Sequence, residues 1–294
     1  MGNYKQGDVL WRHGTVGARR EPSSHAVVVL AVNNEERLNG ERFYTCALIS
    51  NKPMGKSGEV PIQDSEGSVA FVNLSQIMIV GDRSLRTLNG GTEPKIGELS
   101  PAETARVKSS LDALVAVEKS HFGKVVYSVT PSHDGVRGKP NRPYVLIGGM
   151  GKGTDVFFAV PVSSSPGQAG NGTAIKDLDS AGLVRDEGEA SHLRLAWSGT
   201  INTKTSSQPA GRLSETDGKN LYQQFVSFKK QLISGTVGAE LREESPAKEI
   251  RPTADIRATA GSPGREGVFP AGLSRGGAVS CSSAIKPAGI GRSD

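Results

Sequence analysis

Residues 142–163 read RPYVLIGGMGKGTDVFFAVPVS, and the reading of the whole chain turns on this stretch. Arg142-Pro143 opens the apolar run 144–147, whose branched and aromatic residues predict a strand. A second apolar run, 156–162, predicts the next strand and is followed by Ser163. Between them, 148–153 (GGMGKG) supplies residues that accept the positive φ angles of a hairpin turn. Such a hairpin brings Arg142 and Ser163 to the same end, so that a cation and a hydroxyl face one site.

Working outward, the same pattern occurs earlier in the chain. Gly123-Lys124-Val125-Val126-Tyr127 echoes Gly7-Asp8-Val9-Leu10-Trp11, and the strand after Arg142 echoes 26–30. Val160-Pro161-Val162-Ser163 echoes Ala47-Leu48-Ile49-Ser50, and Gly211-Arg212-Leu213-Ser214 echoes Gly97-Glu98-Leu99-Ser100. Ser100-Pro101-Ala102-Glu103 is a helix start, with Ser100 as cap, Pro101 in the first turn and Glu103 closing a capping box. Val107, Leu111 and Leu114 then form an apolar stripe at helical spacing. Leu221, Phe225 and Phe228 lie at the same offsets from Ser214. The repeat offset stays between 113 and 117 throughout, which reads as a tandem duplication. The expected organisation is a first repeat over 1–120, a second over 121–233, and a tail over 234–294. That last segment is rich in Gly, Ala, Ser, Pro and Arg and carries too little large apolar surface to offset its ordering entropy, so disorder is expected. Between the strands, 12–25 reads as a polar, basic loop and 33–41 as a charged turn.

The chain has 294 residues and a formal net charge of +5. Residues 121–233 hold 13 Lys and Arg against 9 Asp and Glu, whereas 1–120 hold 14 of each. Within the second repeat, Lys124, Arg137, Lys139, Arg142 and Lys152 make a locally basic stretch suited to a phosphate backbone. No apolar run is long enough to span a bilayer, and the opening residues lack the apolar core of a signal peptide. Cys46 and Cys281 lie far apart with no His or Cys at ligand spacing, which argues against a disulfide framework or a zinc site. A cytoplasmic protein without cofactor or metal is expected.

The order of these motifs resembles the MazF/PemK (Kid) family of toxin endoribonucleases, over about 5–117 and more loosely over 121–232. In the first repeat the resemblance is carried by Gly7-Asp8-Val9-Leu10-Trp11, 26–30, Leu48-Ile49-Ser50, Ser75-Gln76-Ile77 and Ile96-Gly97-Glu98-Leu99-Ser100-Pro101. In the second it is carried by Arg142-Pro143-Tyr144-Val145-Leu146-Ile147 and Pro161-Val162-Ser163. The resemblance implies a mainly β fold: two SH3-like antiparallel barrels of the MazF/PemK/CcdB type, each with a C-terminal helix. It implies a type II toxin that cuts single-stranded RNA without a metal, through an Arg after the first loop and a Ser or Thr at the end of a later strand.

On that pattern Arg142 and Ser163 match in the second repeat. In the first, Ser50 matches but His25 occupies the Arg position, with Arg19 and Arg20 a few residues upstream as substitutes if the loop folds back. The second repeat has Lys124 where the first has Asp8, and a divergent segment, 193–201, in place of the Gln76 segment. Arg142 would stabilise the charge developing on phosphate, with Ser163 hydrogen-bonding phosphate or the 2′-OH. His133 and Lys139, in the loop before Arg142, are candidates for proton transfer, and Arg137 and Gln76 for substrate binding. The implied partners are mRNA and an acidic antitoxin protein, with the barrels paired within one chain or between chains. Two barrels in one chain suggest an intrachain pseudo-dimer, while the short connector 117–122, reaching at most about 20 Å, is the argument for pairing between chains instead. Two other readings compete: a non-catalytic SH3-like binding module derived from such a toxin, and a CcdB-like inhibitor of a protein target.

Overall fold

The computed structural model describes residues 3–14, 23–38, 41–55, 58–64, 66–85, 94–128, 142–149, 155–165, 172–183, 190–204 and 208–238. The protein is mainly β and is built on two sheets. The first half contributes β1 (Asp8–Gly14), β2 (Ser23–Leu38), β3 (Glu41–Ser50), β4 (Glu59–Gln63), β5 (Val69–Gly81) and β6 (Lys95–Glu98), then α1 (Pro101–Leu114). The second contributes β7 (Lys124–Ser128), β8 (Arg142–Gly149), β9 (Val156–Ser163), β10 (Thr173–Ala174), β11 (His192–Leu193), β12 (Gly199–Asn202) and β13 (Gln208–Arg212), then α2 (Glu215–Ser234) and β14 (Thr236–Val237).

Strand order is β4-β5-β3-β2-β1-β6 in one sheet and β10-β11-β9-β8-β7-β13 in the other, with β12 also paired to β9. The two orders coincide once β11 and β12 are taken together as the counterpart of β5. A 3-10 turn, Leu195–Trp197, separates β11 from β12 in the second half, whereas β5 stays one strand and only shifts its register against β3 between Asn73 and Ile77. Neighbouring strands are antiparallel, apart from β14, which lies parallel to β2.

Each sheet buries both faces, which is why its central strands read as unbroken apolar runs. Along β2, Val27, Val28, Val29 and Leu30 are all essentially inaccessible, although successive side chains point to opposite faces. Val28 and Leu30 join one large core with Ile77, Leu111, Val145, Phe158, Leu221 and Phe225, so both sheets and both helices contribute to it. Val27 and Val29 face a second cluster with Leu10, Tyr44, Leu48 and Met78. The outer face of the other sheet carries Val126, Tyr144, Leu146, Phe157, Ala159 and Ile201.

Both helix starts are fixed as the sequence suggests. The Ser100 hydroxyl accepts from Glu103 N, and the Glu103 carboxylate accepts from Ser100 N and also from Gln63 N at 2.7 Å, tying α1 to β4. At α2 the Ser214 hydroxyl accepts from Asp217 N, and Asp217 accepts from Lys176 N and Asp177 N.

The halves meet inside one compact unit that covers residues 1–243. Thr200 Oγ1 accepts from Ile77 N at 2.8 Å, and Asn33 Nδ2 donates to Ala196 O at 2.9 Å. The rings of Phe43 and Trp197 lie 5.0 Å apart. Lys229 reaches Asp112 at 3.0 Å between the helices. The short connector therefore permits pairing within the chain. It lies against β8, where Glu118 N donates to Ile147 O.

Three local expectations change. Arg12 and His25, read as loop residues, lie in β1 and β2. The charged turn expected over 33–41 is largely strand, since β2 runs to Leu38 and pairs with β3 as far as Leu38↔Glu41. Residues 234–238, placed by composition in the tail, belong to the fold, with Val237 fully buried beside β2. The remainder of the expected tail lies outside the described residues.

Candidate functional site

Strand register, more than sequence proximity, assembles the site. Ser128 on β7 opposes Arg142 on β8. The β8–β9 register, Tyr144↔Pro161, carried two residues on, sets Arg142 opposite Ser163. Ser163 in turn opposes His192 on β11. Directly opposed residues of antiparallel strands share a face, with Cβ atoms about 4.5–5.5 Å apart. Ser128, Arg142, Ser163 and His192 therefore stand in one row across four strands. Arg142, Ser163 and His192 are half-buried, and Ser128 is buried.

The row borders the outer apolar cluster of its sheet, because Val126 and Tyr144 occupy the next same-face positions. The Tyr144 hydroxyl is buried without a hydrogen-bond partner. Burial pushes its pKa far up, against the opposing pull of the Arg142 charge. His192 Nδ1 is likewise buried with no partner. Arg194, two residues on, donates to Ser165 O at 3.1 Å and lies 5.9 Å over the Trp197 ring, bracing the chain just after Ser163.

The other sheet carries the corresponding row. Arg12 opposes His25, the Val27↔Leu48 register sets His25 opposite Ser50, and Ser50 opposes Phe71. An Arg, a His and a Ser recur here, but on different strands: Arg on β1 and His on β2, against Arg on β8 and His on β11. Their exposure differs too. Arg12 is 1% exposed and its guanidinium donates to Met78 Sδ at 3.3 Å, whereas His25 is half-buried. Burial, and then the Arg12 charge, lower the His25 pKa below the ordinary 6.5. The Ser50 hydroxyl donates to Lys52 O.

Extended by two residues, the strand registers thus align Arg142 with Ser163, and His25 with Ser50. Gln76 is not set opposite a residue of either row: it lies on β5 between Asn73 and Ile77, where the β3–β5 register shifts. Its Oε1 is buried without a partner beside the contact between Ile77 and Thr200. Arg19, Arg20, His133, Arg137 and Lys139 lie outside the described residues.

Sequence reasoning missed Arg12, Ser128 and His192. For Arg12 a signal existed, because Asp8, Leu10 and Arg12 continue one alternation along β1. For His192 none did: a two-residue strand has no period, and only its pairing with Ser163 places it. Clefts of about 850 Å³ between α1 and α2 and about 560 Å³ beside the start of α2 include none of the row residues in their linings. Among the described residues no group of three His, Cys, Asp or Glu is placed to hold a metal ion, and no helix is long and apolar enough to cross a membrane. In comparisons with known proteins, this chain matches no family model and no curated protein.

Proposed function

We propose that this protein is an endoribonuclease that cleaves single-stranded RNA by attack of a ribose 2′-OH on the adjacent phosphate, acting as the toxin of a type II toxin-antitoxin pair. One observation carries the reading: the Tyr144↔Pro161 register, extended to the ends of β8 and β9, aligns Arg142 with Ser163, 21 positions away in sequence, and Ser163 pairs with His192. In-line attack forms the 2′-O–P bond and breaks the P–O5′ bond, leaving a 2′,3′-cyclic phosphate and a free 5′-OH. Negative charge gathers on the non-bridging oxygens in the transition state. A half-exposed guanidinium, permanently charged and forked, suits that charge better than it suits the ground state. Ser163 is a weak base, so its role is a hydrogen bond that fixes the phosphate or the attacking hydroxyl. The basic sequence between Ser128 and Arg142 would track the RNA backbone.

A second reading is favoured for the first half by the burial of Arg12. A guanidinium held against Met78 Sδ is not presented to a phosphate, so this half acts as a binding module beside a catalytic partner. An acidic antitoxin remains the proposed protein partner.

The test is digestion of a defined single-stranded RNA by the full chain in the presence of a chelator, followed by end-group analysis. Products with cyclic phosphate and 5′-OH ends are expected. Intact RNA, or cutting that requires a divalent ion, counts against the reading.

A further inference from the structure

We infer that His192 is the proton-transfer residue of the Arg142–Ser163 site, an assignment that rests on the ribonuclease reading above. Cleavage by 2′-OH attack needs a group to take the proton from the 2′-OH and a proton for the departing O5′. Arginine stays protonated and serine is too weak a base, so the pair Arg142–Ser163 cannot supply this step alone. His192 stands directly opposite Ser163, on the same face of the sheet and one strand beyond it from Arg142. A phosphate held between Arg142 and Ser163 therefore has an imidazole beside it.

The histidine's surroundings point the same way. Its Nδ1 is buried and has no hydrogen-bond partner, although the residue as a whole is only half-buried. A histidine retained purely for packing is expected to satisfy its buried nitrogen, since an unpaired one costs stability. The Tyr144 hydroxyl, buried and also without a partner, lies on the same face two residues from Arg142. Two unpaired buried polar atoms thus flank one row.

The proton balance closes with a single residue. The His192 ring accepts the 2′-OH proton as the 2′-O–P bond forms, becoming imidazolium. It then returns that proton to O5′ as the P–O5′ bond breaks, regenerating the neutral ring. No other co-reactant is needed, and RNA is converted to a cyclic phosphate and a free hydroxyl. The first half lacks this element, because Phe71 faces Ser50 where His192 faces Ser163.

The experiment compares wild type, His192→Ala and His192→Gln in the full chain. Cleavage of a defined RNA is measured with and without added imidazole, and folding is checked by circular dichroism and melting temperature. His192→Ala is expected to lose about a hundredfold or more in rate, the scale of a lost general acid or base, and to recover part of it with imidazole. His192→Gln, closer in volume, provides the same comparison should the alanine variant fail to fold, and is expected to be as slow but without rescue. Folded His192 variants that cleave within about threefold of wild type overturn the assignment, as does a His192→Ala loss that imidazole leaves untouched. A wild type that cuts no RNA overturns the ribonuclease reading itself, and the two failures are therefore distinguishable.

Discussion

At the scale of residues, both rows hold an Arg, a His and a Ser, but their arginines differ in exposure, and this sets their expected weights. Arg142 is half-exposed and Arg12 is not. Arg142→Ala is therefore expected to lose about a hundred- to a thousandfold in cleavage rate, the scale of one lost oxyanion donor, and His25→Ala to retain most activity. Arg142→Lys should also be poor, since an ammonium cannot reproduce a two-pronged contact. Steady-state kinetics on one RNA substrate check all three; equal damage from His25→Ala and Arg142→Ala in folded protein would contradict the asymmetry. His25 has a second, measurable consequence. Its folded pKa is lowered by burial and by Arg12, so the unfolded chain binds the proton more readily. The stability it contributes is present above pH 6.5 and is lost as pH falls through the lowered folded value. Melting temperatures of wild type and His25→Gln between pH 7.5 and pH 5.5, a window set by histidine titration, should show wild type losing more stability on acidification. The sequence made Arg142, Ser163, Ser50 and His25 legible because each sits at the edge of a strongly apolar run. Arg12 and His192 were hidden because what matters for them is the residue across the sheet.

At the scale of elements, helix starts were the most legible parts. Ser100 and Glu103 form the capping box that their spacing suggests, and the stripe Val107, Leu111 faces the core. The carboxylate reaching beyond its own helix to Gln63 N could not be read, because it depends on how β4 turns toward α1. That bond gives the cap a tertiary role. Burial pushes the Glu103 pKa up, but hydrogen bonds from Gln63 N and Ser100 outweigh it and hold the group below its ordinary value. The stabilisation is therefore present above the ordinary carboxylate range and is lost as pH falls through the lowered folded value. Glu103→Ala is expected to cost about 1–3 kcal/mol in chemical denaturation at neutral pH, with the deficit shrinking in acid. Gly148 makes a different element-scale demand. A Cβ there would run into the Ala116 carbonyl oxygen, at the point where the connector crosses β8. The glycine pair in 148–149, read as part of the turn, ends β8 instead, and at Gly148 the reason is close backbone approach. The interruption of the second half by a 3-10 turn was legible only as divergence over 193–201, since its geometry depends on packing Trp197 against Phe43 of the other half.

At the scale of the whole molecule, the two halves share a core, and this decides how the chain should unfold. The large cluster draws on both sheets and both helices, and β14, from the end of the second half, pairs with β2 of the first. Neither half can keep its inner face covered after separation, so loss of one should carry the other with it. The contact is also specific in its polar detail: Ile77 N, buried, finds its partner in the Thr200 hydroxyl, and a Cβ on Gly199 would come within 2.8 Å of Ile77 O. Thr200→Val keeps nearly the same shape and removes the acceptor, leaving a buried N–H unpaired at a cost of about 1–3 kcal/mol. If the halves unfold as one, that cost moves a single transition to lower temperature by about 2–4 °C per kcal/mol. Calorimetry is the deciding measurement, because it compares the calorimetric enthalpy with the van't Hoff value. One transition with matching enthalpies, displaced as a whole by Thr200→Val, is the expected result. A profile that splits in two, with Thr200→Val displacing only one component or neither, would mean that each half holds its own core and that the contact through Thr200, Trp197 and β14 is too weak to couple them.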